Sequence, residues 1–397
     1  MNPSDLAKTP NPLAPHYSRF DVANRLLLTG HSHQAWPDAG FEAQAEAWND
    51  AARLVDDKWT RAFETADRVR SGFATLMNDR KGDIALGPST HDLAVRFLSA
   101  AGLRRRPKIV TTSSEFHSLR RQLDRLEEEG IEVLRVPAAP HDTLAERMAE
   151  LVDERTAVAA VSYVFFDTAR IMADPRPLAE ACGRWGTHLL VDGYHALNVV
   201  PFDLASLGLE DAFVLGGGYK YCQLGEGNCF LRTPPACSLR PVVTGWFAEF
   251  DHLDSARRSD EVPYAVGPMR FAGSTYDPAS HYRAAAVFDF FADQCLEVPL
   301  LREVSQHQIR VLASTFDDLD LPESLITRDR GLSPDEIGGF LVLRSPQAPR
   351  LQGALKQVGV LTDSRGESLR FGPAPYLSDD QLLDAMSRLR EAVKLIS

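Results

Sequence analysis

The sequence predicts an α/β fold, with a mainly parallel, doubly wound sheet in a large domain and a smaller α+β C-terminal domain. Three observations carry that prediction. Short β-branched runs alternate with amphipathic helical stretches through the middle of the chain, the pattern of strand–helix–strand units. Two charged residues, Asp192 and Lys220, stand at or just beyond the ends of apolar runs, where such sheets present ligand-binding groups. The chain has 397 residues, 44% hydrophobic and 25% charged, enough to bury the cores of two or three domains at roughly 150 residues each.

In chain order, Ile84–Leu86, Lys108–Thr112, Ile131–Val136, Ala157–Val164, Thr187–Val191, Ala212–Leu215 and Asn228–Leu231 read as strands. Between them Thr90–Ala101, Ser118–Glu129, Thr143–Val152 and Pro177–Trp185 read as helices. An early helix over Phe41–Asp56 fits either domain. From Thr233 to Pro268 the pattern breaks into Pro-, Gly- and Trp-containing segments, expected as irregular connections. Helices follow over Arg283–Cys295 and Val298–Phe316, then a strand at Ile337–Leu343 and helices at Leu351–Val358 and Ser378–Leu395. The expected division is a large domain over residues 45–280 and a small domain made of 1–44 and 281–397.

Composition removes several function classes. Lys plus Arg number 43 against 55 Asp plus Glu, a formal net charge of −12, which argues against broad nucleic-acid binding. No apolar run reaches 18 residues, so no membrane span is expected. Met1–Pro15 is polar and proline-marked, unlike a signal peptide. The five cysteines are odd in number and contain no CxxC pair, which fits free thiols in a cytoplasmic protein better than a structural zinc site. His31 and His33 alone are too few for a metal site, so no metal is expected.

The most informative stretch is Val191-Asp192-Gly193-Tyr194-His195, followed 25 residues after His195 by Lys220, which ends Gly216-Gly217-Gly218-Tyr219-Lys220. Asp192 closes one apolar strand and Lys220 follows another, so both are expected at one crevice. A lysine there can form a Schiff base with an aldehyde if desolvation or nearby charge lowers its pKa. A carboxylate can keep a ring nitrogen protonated, so that the ring accepts electrons. Three glycines would let the backbone approach a bulky ring. A lone Asp at a strand end is more often a cap, and a lone Lys is usually solvated; their pairing around the glycines is what raises the functional reading. The stretch has neither the GxGxxG nor the GxxxxGK[ST] spacing.

These residues, with several further motifs in order, resemble the class V aminotransferase superfamily and, within it, the kynureninase family. Gly30-His31-Ser32 with Pro37 is similar to that family's N-terminal Gly-Asn-Ser…Pro stretch. Gly245-Trp246-Phe247 resembles its Gly-Trp-Phe segment, and Phe271-Ala272-Gly273-Ser274 its Gly-Thr loop. Leu369-Arg370-Phe371-Gly372 with Pro375-Tyr376 resembles its closing Arg-Phe-Gly…Pro segment. The resemblance runs from about Gly30 to Tyr376. It implies the fold type I, pyridoxal 5′-phosphate (PLP)-dependent transferase-like fold, PLP as cofactor, and a homodimer with its active sites at the subunit interface. The implied reaction is hydrolytic cleavage of the Cβ–Cγ bond of a γ-keto amino acid such as kynurenine, in tryptophan catabolism.

By the same resemblance, Lys220 would carry PLP and then take the Cα proton, and Asp192 would hold the ring nitrogen. Ser89 and Thr90 would receive the phosphate at a helix N-terminus, where free N–H groups favour an anion; Ser89 is equally suited to capping that helix. Tyr219 and Ser274 would add hydroxyl donors, Ser274 from its own or a neighbouring subunit, and Trp246 either an indole N–H or a core aromatic. Tyr219 is also a candidate proton relay. Either Phe116 or His117 would stack on the ring. Ser162 would meet the ring oxygen or edge, and His195 would flank phosphate or ring. Arg370, with its planar fork, is the leading ligand for the substrate carboxylate and Arg365 its competitor. His31, Ser32 and His33 lie on an early loop expected to close over substrate.

The chain also departs from the kynureninase pattern. Phe165-Phe166-Asp167-Thr168-Ala169 replaces the usual Asn-Tyr-x-Thr-Gly, His31 replaces an Asn, Gln34 a Gly, and the last motif reads Pro-Tyr-Leu. These positions neighbour the substrate side, so substrate identity stays open while the cofactor does not. The alternatives are a class V aminotransferase or another PLP lyase acting on a different amino acid, and a non-catalytic PLP-fold binding protein. A cysteine desulfurase would need a nucleophilic cysteine late in the chain, and none follows Cys295.

Overall fold

A computed structural model describes residues 1–252 and 262–396. Its centre is a seven-stranded sheet built from β1 (Asp83–Gly87), β2 (Lys108–Thr112), β3 (Glu132–Val136), β4 (Thr156–Ser162), β5 (His188–Asp192), β6 (Phe213–Gly217) and β7 (Cys229–Thr233), in the spatial order β1-β7-β6-β5-β4-β2-β3. Every pairing from β6 to β3 is parallel, whereas β7 runs antiparallel to both β1 and β6. The expected mainly parallel α/β sheet is therefore present. β7 could not be told from a parallel strand by its apolar run, because burial on both faces erases the alternation that distinguishes the two.

Both faces are covered. Val110, Ala159, Val161, Val191, Val214 and Phe230 belong to one apolar core, and Ile109, Val158, Ala160, Leu190, Leu215 and Leu231 to another. Neighbouring residues of one strand thus serve opposite cores, as the two-residue period requires. The helices α3 (Thr90–Ala100), α4 (His117–Glu128), α5 (Leu144–Ala149) and α6 (Arg176–Trp185) occupy the crossovers.

Earlier in the chain lie α1 (Asp38–Leu54) and α2 (Lys58–Leu76), which both pack on α7 (Ala279–Asp293). The early helix thus lies against α7; α2 was not foreseen. The C-terminal portion holds α8 (Val298–Asp318), α9 (Ala348–Gln357) and α10 (Asp379–Ile396) around a three-stranded antiparallel sheet of β8 (Leu341–Arg344), β9 (Asp363–Arg365) and β10 (Ser368–Phe371), ordered β9-β10-β8. Gly366, at φ 54°, makes the tight β9–β10 turn that pairs Asp363 with Arg370. The stretch from Thr233 to Pro268 is irregular as expected where it is described; residues 253–261 lie outside the described residues.

The N-terminal segment is sewn to the C-terminal portion. Leu26–Leu27 pairs in parallel with Val360–Leu361, and Thr29 forms a bridge to Gly372. Gly30 N–H donates to Gly372 O at 2.7 Å, and Gly372 N–H to Leu28 O at 2.7 Å. Backbone atoms of Gly372 and Pro373 occupy the space that a Cβ on Gly30 would need. Among the described residues no helix is long and apolar enough to cross a membrane.

Candidate active site

The parallel strands end together. Gly87, Cys229 and Gly217 share one register across β1, β7 and β6, and Ser162 pairs with Asp192 across β4 and β5. Thr112 closes β2 nearby in the sheet order. Four loops that follow these ends supply Ser89–Thr90, Glu115–Phe116, Asp192–His195 and Tyr219–Lys220, so residues remote in sequence meet at the carboxyl edge.

Lys220 is buried, 4% exposed, in a loop closed by Gly218 N–H to Asn228 O (2.9 Å) and by Gln223 N–H to Lys220 O (3.0 Å). Its Nζ lies 2.7 Å from His195 Nε2, 4.7 Å from the Tyr194 ring centre and 5.3 Å from that of Phe116. Burial, reinforced by Arg370, pulls its pKa down to about 7 against the opposing pull of Asp192. The lysine can therefore be a neutral nucleophile near neutral pH. Burial, then Lys220, holds His195 well below the usual histidine range, so its Nε2 can accept from the amine.

Asp192 is held by an Asx turn, its Oδ1 accepting from Tyr194 N–H at 2.9 Å. Burial raises its pKa, while the Tyr194 N–H and Lys220 pull it down. The glycines before Lys220 have a different role from the expected one. A Cβ on Gly216 would strike Leu197 and Phe230, on Gly217 Tyr194 and Cys229, and on Gly218 Leu224. The protein's own side chains fill these spaces, so the glycines permit close packing of β6 and its loop rather than the approach of a ring.

Ser89 caps α3, accepting from Asp92 N–H at 3.1 Å with extended φ and ψ. Thr90 opens the same helix. Of the two ring-stacking candidates, Phe116 faces Lys220, whereas His117 is exposed and its ring meets Phe166 at 5.3 Å. Tyr219 is sandwiched by His33 (4.7 Å, interplanar 21°) and Tyr194 (4.9 Å), and burial raises its pKa to about 12. It can donate a hydrogen bond but stays protonated near neutrality.

Ser274 is exposed and lines a cleft of about 480 Å³ together with Gly87 and Pro88. Phe247 lines the same cleft. The neighbouring Trp246 is 43% exposed and donates its indole N–H to Thr275 Oγ1 at 3.3 Å. The indole is thus not a core aromatic.

The substrate-side residues differ most from expectation. His31 is not part of an open loop: its side chain is fully buried, stacked on Phe340 at 4.7 Å, and fixed by the Gly30–Gly372 bridge. Burial and then Arg370 keep it neutral, well below the usual histidine range. Neither ring nitrogen has a hydrogen-bond partner among the described residues, although Nε2 lies 4.0 Å from Asp363 Oδ2. Ser32 sits nearer the surface, its Oγ 3.3 Å from His33 Nδ1. Arg370 is buried, but its fork is not free. NH2 donates to Asp363 Oδ2 at 2.8 Å and NH1 to Phe166 O at 2.7 Å, leaving Nε without a partner. The half-exposed Arg365 binds the other Asp363 oxygen at 3.1 Å.

Asp363, Tyr194, Phe340 and Glu115 are site residues that the sequence reading did not single out. Only the Ser-Arg-Gly turn signal before Arg370, which implies a hairpin opposing Asp363 to Arg370, could have pointed to one of them. The Phe165–Ala169 loop is anchored by Arg370, and Ala169 takes the left-handed conformation (φ 61°). That conformation suits the glycine of the kynureninase pattern better than an alanine. Among the described residues no cluster of three metal-ligating side chains occurs.

No family model matches the chain. It is 23% identical over 339 residues to an uncharacterized aminotransferase, YcbU, of Bacillus subtilis, covering 83% of this chain and 85% of that protein. It is 24% identical over 321 residues to a kynureninase of Bacillus cereus, covering 77% and 71%. Among solved structures, a mutant of C-DES with glycine covalently linked to its PLP cofactor aligns with a TM-score of 0.81 at 14% identity, over 96% of this chain and all of that one. An apo cysteine desulfurase of Thermococcus onnurineus NA1 aligns with a TM-score of 0.79 at 17% identity, over 99% and 98%. The architecture is therefore that of these solved structures, the fold type I, PLP-dependent transferase-like fold.

Proposed function

We propose that this chain is a PLP-dependent enzyme of amino-acid chemistry, and that its reaction is the kynureninase-like hydrolysis of a γ-keto amino acid to alanine and an aromatic acid. One observation carries the cofactor assignment: Lys220, buried at the carboxyl edge of the sheet, and Asp192, partly buried at the end of β5, lie close enough to influence each other's charge. The residues fit the group. Lys220 would hold its aldehyde carbon, Asp192 its ring nitrogen, Phe116 its face, and the α3 N-terminus with Ser89 and Thr90 its phosphate. Bound there, PLP supplies an electron sink for negative charge developing at Cα.

The chain's own groups account for proton movement and orientation. Lys220 takes the Cα proton, and His195 Nε2, in contact with its amine, steadies it and can share that proton. Asp192 keeps a proton on whatever base it faces. Tyr219 acts as a donor to phosphate or to the departing carbon. Arg370 binds the α-carboxylate through Nε and the hydrogens not claimed by Asp363 and Phe166. The five donors of a guanidinium allow this sharing. The exposed Ser274 and Trp246 suit a homodimeric assembly in a cytoplasmic enzyme, with Ser274 completing the phosphate site.

Two outcomes separate the readings of the reaction. Incubation of the purified holoprotein with kynurenine or 3-hydroxykynurenine is expected to yield alanine and an anthranilate in equal amounts. Consumption of an added keto acid in place of alanine release would establish an aminotransferase. That second reading is favoured by Arg370's pairing with Asp363 and by the replaced Phe165–Ala169 loop, which alter the substrate side alone. A third expectation concerns pH. Because the neutral amine attacks the aldehyde, uptake of PLP by the apoprotein should accelerate as pH rises through about 7 and level off above it. Stopped-flow absorbance that kept climbing toward pH 10 would contradict the depressed lysine.

A further inference from the structure

Behind the proposed ring site lies a carboxylic acid that none of the roles above employs. Glu115 is 2% exposed, in the loop between β2 and α4. Its Oε1 accepts from Thr112 Oγ1 at 2.6 Å and from Ser162 N–H at 3.1 Å, and its Oε2 accepts from Ser162 Oγ at 2.7 Å. Ser162 is the register partner of Asp192 on the adjacent strand. The next residue after Glu115 is Phe116, which faces Lys220. The carboxylate is thus one hydrogen bond removed from the edge where the ring would lie.

A serine hydroxyl has one proton to give. While that proton points at Glu115, Ser162 offers only lone pairs toward the site. We propose that Glu115 is a positioning residue that sets the polarity of the Ser162 hydroxyl, and through it the protonation of the bound cofactor. This inference rests on the PLP reading above. With Glu115 ionised, Ser162 accepts and favours a protonated neighbour on the cofactor. With Glu115 protonated, its own O–H donates to Ser162, whose proton swings into the site and favours a deprotonated ring oxygen.

The surroundings make both states accessible. Burial pushes Glu115 up to about 7; the Thr112 and Ser162 hydroxyls pull it down, and Asp192, facing it from β5, pushes it up again. Beyond β6, Lys220 lies close enough to Asp192 for each to influence the other's charge. On the β4 side, Asp167 is held by Ser114 Oγ at 3.2 Å, and on its own loop His117 points to solvent.

The test is a pH titration of the visible absorbance of the holoprotein. In Glu115→Gln the amide oxygen keeps the Thr112 and Ser162 N–H bonds. Its NH2 donates to Ser162 Oγ, which turns the hydroxyl proton permanently outward. That donor and the lost negative charge act in the same direction, so the titration midpoint should fall by about one unit. Thr112→Val removes a donor that stabilises the carboxylate and should move the midpoint the same way without touching Glu115. In a Ser162→Ala background the Glu115→Gln shift should shrink to less than half. An equal shift in both backgrounds, or none in either Glu115→Gln or Thr112→Val, overturns the proposal. If Glu115→Gln does not fold, the Thr112→Val titration decides alone. A wild-type protein with no visible band would instead remove the cofactor reading, and this inference with it.

Discussion

Lys220→Ala is expected to abolish the visible absorbance that the wild-type protein acquires with PLP and to lower turnover by about 10³-fold or more. The size follows from two functions lost at once, covalent attachment and Cα proton transfer; positioned acid–base catalysis alone contributes about 10²–10⁴-fold. No nearby amine can substitute. The other buried lysine, Lys108, starts β2 at the opposite edge of the sheet and is paired with Asp153 at 2.8 Å. Lys220→Arg should fail equally, because a guanidinium remains charged and cannot form the imine. An unchanged spectrum in Lys220→Ala would sink the cofactor assignment. Retained turnover with a lost spectrum would separate attachment from chemistry.

Asp79→Ala is expected to destabilise the fold by about 3–5 kcal/mol, the cost of leaving a buried charge without its partner. Arg232, on β7, is only 1% exposed, and its Nε donates to Asp79 Oδ2 at 2.6 Å. Its NH1 also donates to Glu210 O and Ala212 O, both at 2.7 Å. The guanidinium therefore pins the turn before β1 to the segment leading into β6. Burial raises the Asp79 pKa, but the hydrogen bonds from Arg232, Lys81 and Gly82 outweigh it, and the net shift is downward. Since the folded value lies below the unfolded one, this stability is present at neutral pH and is lost as pH falls through the carboxylate range. Urea unfolding monitored by circular dichroism should show a lower midpoint with little change in slope. An unfolding free energy within about 0.5 kcal/mol of wild type would show that the carbonyl contacts alone carry the arginine.

The strands that hold the site were readable because each is a short apolar run between helical stretches or breakers, and Lys108–Thr112 was bounded to the residue. The placing of Asp192 and Lys220 at one edge followed from strand ends and chain order. What escaped the sequence is what depends on long-range contact. The antiparallel direction of β7 leaves no periodic mark on a strand buried on both faces. The burial of His31 follows from the neighbouring Gly30–Gly372 hydrogen bond, which joins positions 342 apart and leaves no local mark in the sequence. The commitment of Arg370 to Asp363 required the β9–β10 register. The role of the Gly216–Gly218 run depended on which neighbours fill the space beside it, and those neighbours come from β5, β7 and their loops.

The bridge between Thr29 and Gly372 also has a temporal side. A ribosome delivers residue 29 some 340 residues before its partner, and the Asp192–Lys220 edge about midway between them. The sheet can assemble while the chain is still being made, but the wall carrying His31 and Arg370 cannot. Until its last strands emerge, the nascent protein would possess the lysine without the enclosure that governs what reaches it. Chains ending before Val360 lack the bridge, Asp363 and Arg370 together.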